Sequence, residues 1–279
     1  MNRTLVAIHA HPDDESSKGA GTVARYADLG VRCVLVTATG GEAGDILNPA
    51  MDRPEIVENL PAVRRAELEK AAALLGFSEI VHLGFRDSGM PGSDANAHPD
   101  AFVNADTEVA LNAIVAVIRR ERPQVILGYD SHEYYPHPDH LRVHELATKA
   151  FAAAADTDAF PIAGPPWQAQ RLYAPIFSRQ RLVALDEAMK ERDLESPLGR
   201  WLARFPEEAD TRVDARIDIT TTLSRARNAL RAHATQVDPD GFWFQIPEEV
   251  VIEAYPYEDF ALLAGTDGSG SDQDLFAGL

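Results

Sequence analysis

Short apolar segments alternate with longer amphipathic segments along the first 155 residues. Four apolar runs have the length of buried strands, and they occupy residues 5–8, 31–37, 80–83 and 125–127. The segments between them carry apolar residues at helical spacing, as in residues 60–75. Strands that alternate with helices predict an α/β fold with a Rossmann-like, mostly parallel sheet and helices on both faces.

Residues with strong end preferences predict where these helices begin and end. Ser16 or Ser17 can cap the first helix, and Gly30 suits the left-handed position after it. Asp106 can cap a later helix that ends before Pro123. Pro61 suits the start of a helix over residues 61–75, and Gly76 suits its end. Another helix is expected to begin near Pro138 and to reach about residue 155, and Thr220 or Thr221 can cap a later one.

The alternation weakens beyond about residue 165, where Pro165 and Pro166 favour a hinge or a turn. Residues 172–177 predict a fifth strand, and residues 182–193 and 222–234 predict helices. We therefore expect a Rossmann-like domain at 1–165 and a smaller C-terminal α/β portion at 166–279. The Gly, Ser and Asp content of residues 265–274 predicts a mobile tail, after which Leu275 and Phe276 can dock.

The composition excludes several classes of partner. The 279 residues include 44 Asp and Glu against 26 Lys and Arg, which gives a net charge of −18 that repels nucleic acids and anionic membranes. No apolar run approaches the ~20 residues of a membrane span, and the N-terminus lacks a signal-peptide pattern. The single cysteine, Cys33, fits a small buried hydrophobe in a cytoplasmic protein. We expect a small-molecule substrate, and the sequence does not indicate an oligomeric state.

Polar clusters follow three of the four predicted strands. They lie at residues 9–18 after the first strand, at Arg86 and Asp87 after the third, and at residues 135–140 after the fourth. Ligands of open α/β sheets bind outside the carboxyl ends of the strands. The three clusters are therefore expected to meet at one edge of the sheet and to form an active site there.

Two of these clusters combine histidines and aspartates around a proline. Two imidazoles and one carboxylate, as offered by His11, Asp14 and His140, commonly hold a catalytic zinc and leave a position for water. The same nitrogen and oxygen donors would accept other divalent metals, so zinc is favoured but not required. A structural zinc is disfavoured, since its ligands are typically cysteines.

Other polar residues have ordinary explanations. His144 lies four residues after His140, but the HExxH pattern of helical zinc pairs is absent, so a hydrogen-bonded core histidine is the better interpretation. Arg64, beside another arginine on a predicted helix, is most simply a solvated side chain. Surface charge is the default interpretation of Glu42 and Asp87 as well.

The stretches His9-Ala-His-Pro-Asp-Asp-Glu15 and Tyr135-Pro-His-Pro-Asp-His140 resemble the paired signatures of the zinc-dependent N-acetylglucosaminyl-inositol deacetylase family. Further stretches similar to that family are Thr39-Gly-Gly-Glu42, Arg86-Asp-Ser-Gly-Met90, Ala232-His-Ala-Thr-Gln236 and the final residues from Asp274 to Leu279. The resemblance covers nearly the whole chain, and it implies that residues 1–165 form a metal-hydrolase domain whose substrate site is completed by residues 166–279. Lys18 resembles the amidase branch of the family rather than the biosynthetic deacetylase branch.

The resemblance implies a role for each matching residue. It implies His11, Asp14 and His140 as ligands of one Zn²⁺ ion. It implies Asp13 as general base, Tyr135 as a donor to the oxyanion, and His137 as a general acid oriented by Asp139. The remaining matches are implied to bind the substrate. Arg64, Asp87 and Glu42 would hold a glucosaminyl-inositol end, and Lys18 would contact the cysteine-conjugate side.

The amidase branch implies hydrolysis of the amide between N-acetylcysteine and glucosamine in mycothiol S-conjugates. Its products are a mercapturic acid and glucosaminyl-inositol, in detoxification or in a specialised biosynthetic pathway. The alternative is release of acetate from N-acetylglucosaminyl-inositol, and a third possibility is a non-catalytic sugar-binding module, which would need neither Asp13 nor His137. One departure concerns Glu133 and Tyr134, where the family usually has two glycines, so the loop before Tyr135 is expected to differ in shape.

Overall fold

The computed structural model describes residues 3–131, 135–203, 212–266 and 272–279. In this part of the chain seven strands form one sheet with the order β3-β2-β1-β4-β5-β7-β6. The strands are β1 (Thr4–His9), β2 (Arg32–Thr39), β3 (Glu79–Phe85), β4 (Val125–Leu127), β5 (Arg171–Ile176), β6 (Ala215–Asp218) and β7 (Tyr257–Gly265).

Helices connect these strands. The described α-helices are α1 (Asp14–Ser17), α2 (Ala20–Asp28), α3 (Pro54–Val57), α4 (Leu60–Leu75), α5 (Thr107–Glu121), α6 (Pro138–Ala153), α7 (Arg179–Lys190), α8 (Gly199–Leu202), α9 (Leu223–Ala232) and α10 (Glu248–Ala254). Short 3-10 helices occupy Pro49–Met51, Phe102–Asn104, Pro161–Ala163 and Phe242–Phe244. None of the described helices has both the length and the apolar character of a membrane span.

The predicted parallel sheet is confirmed for the five strands β3, β2, β1, β4 and β5. One face of its centre, with Val6, Ile8 and Ile126, packs against apolar residues of α5 and α6. The other face, with Leu5 and Ala7, packs against α2, α4 and α9. Helices therefore cover both faces, and every residue of β1 is buried.

Several predicted helix ends are confirmed, and two caps are wrong. The Asp106 carboxylate accepts hydrogen bonds from the first N–H groups of α5, and Gly30 and Gly76 have φ of 80° and 84° after helices. Ser16 and Ser17 do not cap α2, because they lie inside α1 and Gly19, with φ of 80°, precedes α2. α9 begins after Thr222 rather than after Thr220 or Thr221, and no side chain caps it.

The C-terminal strands extend the same sheet. β7 runs antiparallel between β5 and β6, so strands from both sides of residue 165 share one hydrogen-bonded layer. The division into two domains stays a prediction. The docking of Leu275 and Phe276 is confirmed, since both are fully buried and the Arg171 guanidinium donates to the Leu275 carbonyl at 2.7 Å. Residues 267–271 of the predicted mobile tail lie outside the described residues.

One arginine holds the connection between α6 and β5. The buried Arg119 side chain of α5 donates to six backbone carbonyls, which belong to Ala153, Ala154, Asp156, Ala159, Phe160 and Gly164. Just beyond Pro165 and Pro166, the Trp167 indole donates to the Pro123 carbonyl at 2.7 Å. Hydrogen bonds therefore hold the chain on both sides of the proline pair, and the choice between a hinge and a turn stays a prediction.

Candidate active site

The three polar clusters meet at the carboxyl edge of the sheet. His11, Asp13 and Asp14 follow β1, and Asp87 follows β3. The third cluster surrounds the start of α6, where His137 is the N-cap. The convergence predicted from the strand order is therefore found.

The predicted metal ligands His11, Asp14 and His140 lie close together. Asp14 Oδ2 lies 3.4 Å from His11 Nδ1, and Asp14 Oδ1 lies 3.3 Å from His140 Nε2. Ligand atoms bonded at about 2.0–2.2 Å to a tetrahedral zinc lie about 3.3–3.6 Å apart. All three side chains are buried. Each imidazole therefore lies at ligand-like distance from the carboxylate, His11 from one oxygen and His140 from the other, and the donor types suit a divalent cation.

Carboxylates orient the His11 ring. Its Nε2 donates to Asp139 Oδ2 at 3.1 Å and lies 3.5 Å from Asp87 Oδ1, which leaves Nδ1 directed to Asp14. A metal-binding histidine usually donates the N–H of its other ring nitrogen to a carboxylate, a backbone carbonyl or water. Burial acts to lower the pKa of His11, but hydrogen bonds to Asp139, Asp14 and Asp87 raise it overall. The surroundings are therefore negative and favour a cation.

Asp139 contacts His137 through its backbone N–H rather than through its carboxylate. The Asp139 carboxylate instead accepts from His11 and from the Ser88 backbone N–H. His137 Nδ1 accepts from the Asp139 backbone N–H at 3.2 Å, so Nε2 is the nitrogen that can carry a proton. Burial and the neighbouring His11 lower the pKa of His137, against the opposing charge of Asp139.

Among the described residues, two groups of three have ligand atoms that all lie within 4.8 Å of one another, and neither contains Asp14. His11, His137 and His140 each bring one nitrogen within 4.8 Å of the others, and so do the ligand atoms of His11, Asp87 and Asp139. His137 is the weaker third ligand because its Nδ1 already caps α6. Asp14 is the stronger choice, since the charges of His140 and Lys18 hold the pKa of this carboxyl well below its usual range despite its burial.

Asp13 has an unusual backbone conformation. Its φ of 113° lies in the left-handed region, which a non-glycine residue adopts only when neighbouring contacts hold it there. The Arg64 guanidinium donates to Asp13 Oδ2 at 3.3 Å and to the Pro12 carbonyl at 2.6 Å. Burial raises the pKa of Asp13, although the charge of Arg64 opposes this shift. A raised pKa suits a group that must accept a proton near neutral pH.

Two interpretations as solvated charges are wrong. Arg64 is 2% exposed and also donates to the Gly41 carbonyl, so its guanidinium connects two loops beside the site. Asp87 is 3% exposed and accepts from the Gly89 and Ala43 backbone N–H groups at 2.8 and 3.1 Å. Each side chain has a hydrogen-bond partner in a loop that is distant along the chain. The local pattern of the helix or strand that carries the residue does not reveal such a partner.

Lys18 reaches back to the metal-site carboxylate. Its Nζ donates to Asp14 Oδ1 at 2.7 Å and lies 5.6 Å from the centre of the Tyr129 ring. Burial acts to lower the pKa of Lys18, but the charge of Asp14 and the hydrogen bond to it raise it. The ammonium group therefore stays charged beside the site.

Glu15 and His233 form a buried pair that the sequence did not single out as functional. His233 Nε2 lies 2.6 Å from Glu15 Oε1, and both side chains are fully buried. The second oxygen of Glu15 accepts the backbone N–H of Asp13 at 3.0 Å. Burial acts to lower the pKa of His233, but Glu15 raises it overall, while His233 lowers the pKa of Glu15 against its burial. The pair supports the turn that carries Asp13.

Tyr129 is a second residue that sequence reasoning missed. It is fully buried after β4, and its ring stacks on His140 with centroids 4.7 Å apart. Its hydroxyl accepts from the Ala10 backbone N–H at 3.2 Å. Tyr129 could have been singled out from the sequence because it comes shortly after β4, at the edge of the sheet where the polar clusters meet. His144, as expected, is not among these groupings, and its Nδ1 contacts the Tyr129 carbonyl oxygen at 2.7 Å.

A cavity of about 780 Å³ opens above these residues. All the predicted site residues except Glu42 and Asp139 are among the described residues that line it. Glu42 instead accepts the Asp87 backbone N–H at 3.3 Å. Tyr135 is 46% exposed and lines the cavity, with its ring 5.4 Å from that of His140. Glu133 and Tyr134 lie outside the described residues, so their effect on the Tyr135 loop stays a prediction.

Known proteins resemble this chain over most of its length. The model of the GlcNAc-PI de-N-acetylase family, PIG-L, matches residues 6–151. A mycothiol S-conjugate amidase of Streptomyces coelicolor is 41% identical over 99% of this chain and 97% of its own length. A 1D-myo-inositol 2-acetamido-2-deoxy-alpha-D-glucopyranoside deacetylase of Frankia alni is 39% identical over 98% and 99%.

The fold also has a solved counterpart. The structure of N,N'-diacetylchitobiose deacetylase from Pyrococcus horikoshii superposes with a TM-score of 0.64 and 21% identity, covering 94% of this chain and 84% of that one. This likeness concerns the fold, because the identity is low. It agrees with the α/β architecture described above.

Proposed function

Because the chain belongs to the GlcNAc-PI de-N-acetylase family, PIG-L, we propose that it is a zinc-dependent amidase acting on mycothiol S-conjugates. It is an amide-hydrolysing enzyme, and the amide would be the one between N-acetylcysteine and glucosamine. The observation that carries the proposal is the position of the Asp14 carboxylate, within 3.4 Å of His11 and 3.3 Å of His140, with Asp13 next to it in the chain. The 41% identical amidase supports the choice of substrate. The single buried Cys33 supports a cytoplasmic location.

His11, Asp14 and His140 would hold the zinc. When bound, it lowers the pKa of water from ~15.7 towards 7 and polarises the amide carbonyl. Asp13 accepts the proton of the attacking water, for which its raised pKa is suited. Arg64 and Glu15 keep Asp13 in place through its side chain and its backbone N–H.

Proton delivery to the leaving amine belongs to His137. An amine leaves an amide poorly unless it is protonated, so His137, which lines the cavity, donates as the imidazolium cation and is left as neutral imidazole. The Tyr135 hydroxyl, which the cavity exposes, donates to the oxygen of the former carbonyl. Asp87 and Arg64 line the end for glucosaminyl-inositol, where Glu42 acts through the Asp87 backbone, and Lys18 faces the cysteine-conjugate side.

The second candidate function is deacetylation of N-acetylglucosaminyl-inositol. It is supported by the relatives at 37–39% identity that are named as deacetylases of this compound. The chemistry at the amide is the same, and only the acyl group differs. Lys18 distinguishes the two functions, because only a cysteine conjugate presents groups beyond the acetyl carbon.

The test is a side-by-side assay of the zinc-loaded protein with a mycothiol S-conjugate, free mycothiol and N-acetylglucosaminyl-inositol. We expect the highest kcat/KM with the conjugate. Lys18→Ser should reduce conjugate cleavage more than acetate release, whereas Lys149→Ser, on an exposed helix surface, should change neither. Faster acetate release than conjugate cleavage would reject the amidase assignment in favour of the deacetylase. Sugar binding without turnover would reject both enzymatic functions.

A further inference from the structure

The cavity is lined by four aromatic side chains from the C-terminal part of the chain. Phe177 follows β5, Trp201 lies in α8, and Phe242 and Trp243 lie in a 3-10 helix. The centroid separations are 5.5 Å for Phe242 and Trp243, 5.8 Å for Trp201 and Phe242, and 6.4 Å for Phe177 and Trp243. The four rings therefore form one connected surface, called the aromatic wall below.

This wall is exposed to the cavity. Phe177 and Trp243 are 38% and 39% exposed, and aliphatic side chains such as Ile176 and Leu182 line the cavity beside them. Large apolar side chains that remain accessible next to a catalytic site usually bind part of the ligand. The metal-site residues line the same cavity, so a molecule bound at the amide-cleaving groups can reach the wall.

The wall offers few of the hydrogen bonds that the sugar end of the substrate can make. Glucosaminyl-inositol is covered with hydroxyl groups, which need charged or polar partners such as Asp87 and Arg64. The aromatic side chains of the wall, and the aliphatic side chains beside it, offer few hydrogen bonds. The volume of about 780 Å³ lies in the upper part of the range of about 300–1,000 Å³ for small-molecule pockets, so the cavity has room for a further group.

We propose that the aromatic wall binds the S-linked group of the conjugate and selects apolar groups that contain a ring. The proposal rests on the proposed function, because it assigns the acyl side of the cleaved amide to a cysteine conjugate. A flat ring offers the four aromatic side chains offset-stacked or edge-on contacts, and it displaces water from their exposed faces. A small S-methyl group would leave most of this surface wet.

The test compares mycothiol conjugates that differ only at sulfur. We measure kcat/KM of the zinc-loaded protein for S-methyl, S-benzyl and S-(naphthylmethyl) mycothiol, and we expect the ring-bearing conjugates to be preferred at least about tenfold. Trp243→Ala and Phe177→Ala should each reduce that preference several-fold, and Trp243→Phe should keep most of it. Both positions are partly exposed, and thermal unfolding of each variant verifies that it folds.

A matched control lies one residue along the same turn. Phe244 is not among the cavity-lining residues and instead packs against the Arg231 guanidinium at 4.3 Å, so Phe244→Ala should leave the preference unchanged. Equal kcat/KM for all three conjugates would overturn the proposal while the amidase function stands. An equal loss for every conjugate and for N-acetylglucosaminyl-inositol in Trp243→Ala would overturn it too, since the wall would then hold the sugar. Absence of conjugate cleavage in the native protein would instead reject the proposed function, and this inference with it.

Discussion

Replacing His233 with alanine leaves the Glu15 carboxylate buried without a cation. The two groups lie 2.6 Å apart and are fully buried, although 218 residues separate them along the chain. At this distance and an effective dielectric constant of about 20, their attraction is about 6 kcal/mol before the cost of burial is subtracted. Removing one partner of such a pair typically lowers the free energy of unfolding by about 3–5 kcal/mol. We expect His233→Ala to fall in that range.

The chain offers a control with the same separation and different burial. Lys149 Nζ lies 2.6 Å from Glu145 Oε1, but the two side chains are 50% and 41% exposed. An exposed pair at this helical spacing contributes only about 0.3–0.5 kcal/mol. Lys149→Ala should therefore change the free energy of unfolding by less than about 1 kcal/mol, because water replaces the lost partner.

Urea unfolding of the two variants and the native protein, followed by circular dichroism, measures these differences. The double variant Glu15→Gln/His233→Ala should be more stable than His233→Ala, since it removes the unpaired charge. If His233→Ala cost no more than Lys149→Ala, the pair would not be the connection between α9 and the Asp13 turn that its geometry indicates.

Three further predictions concern the site and the core. Asp13→Asn should keep zinc, measured by plasma mass spectrometry, while kcat falls about 10²–10⁴-fold, and unchanged turnover would refute its role as base. His140→Ala should lose the metal on dialysis, whereas retained stoichiometric zinc would point to another ligand set. The Cys33 thiol is fully buried, and burial raises its pKa to about 12, so it should resist Ellman's reagent until guanidinium unfolds the protein. Rapid labelling of the folded protein would contradict its position in the core.

The meeting of the polar clusters could be predicted from the sequence because each cluster is recognised from its own stretch of chain. Each cluster follows a recognisable apolar strand, and parallel strands bring their carboxyl ends to one edge. That rule placed His11 and Asp14 near His140 without knowledge of the loops. It could not place Glu15 against His233, because nothing in the pattern of α9 indicates which distant carboxylate its last turn meets.

The strands β6 and β7 were missed for a related reason. β7 begins with Tyr257, Glu258 and Asp259, which do not look like a buried strand. Asp259 is nevertheless 1% exposed, because Ser178 and Tyr255 donate to its carboxylate and Arg216 lies 3.2 Å away. These partners come from other elements, so local periodicity cannot reveal that the acid is satisfied. The predicted helices had no such dependence on distant partners.

The hydrogen bonds from Arg119 to the segment before Pro165 have a consequence for how substrate specificity could change in related proteins. These bonds join the segment after α6 to α5, and the pairing of β4 with β5 continues the sheet, so the parts of the chain before and after the segment share one layer. A binding surface that needs little ordering when a ligand binds loses less free energy on association. New specificities can arise by exchange of a few rings in the later part of the chain, while the hydrolytic apparatus from the earlier part is inherited intact.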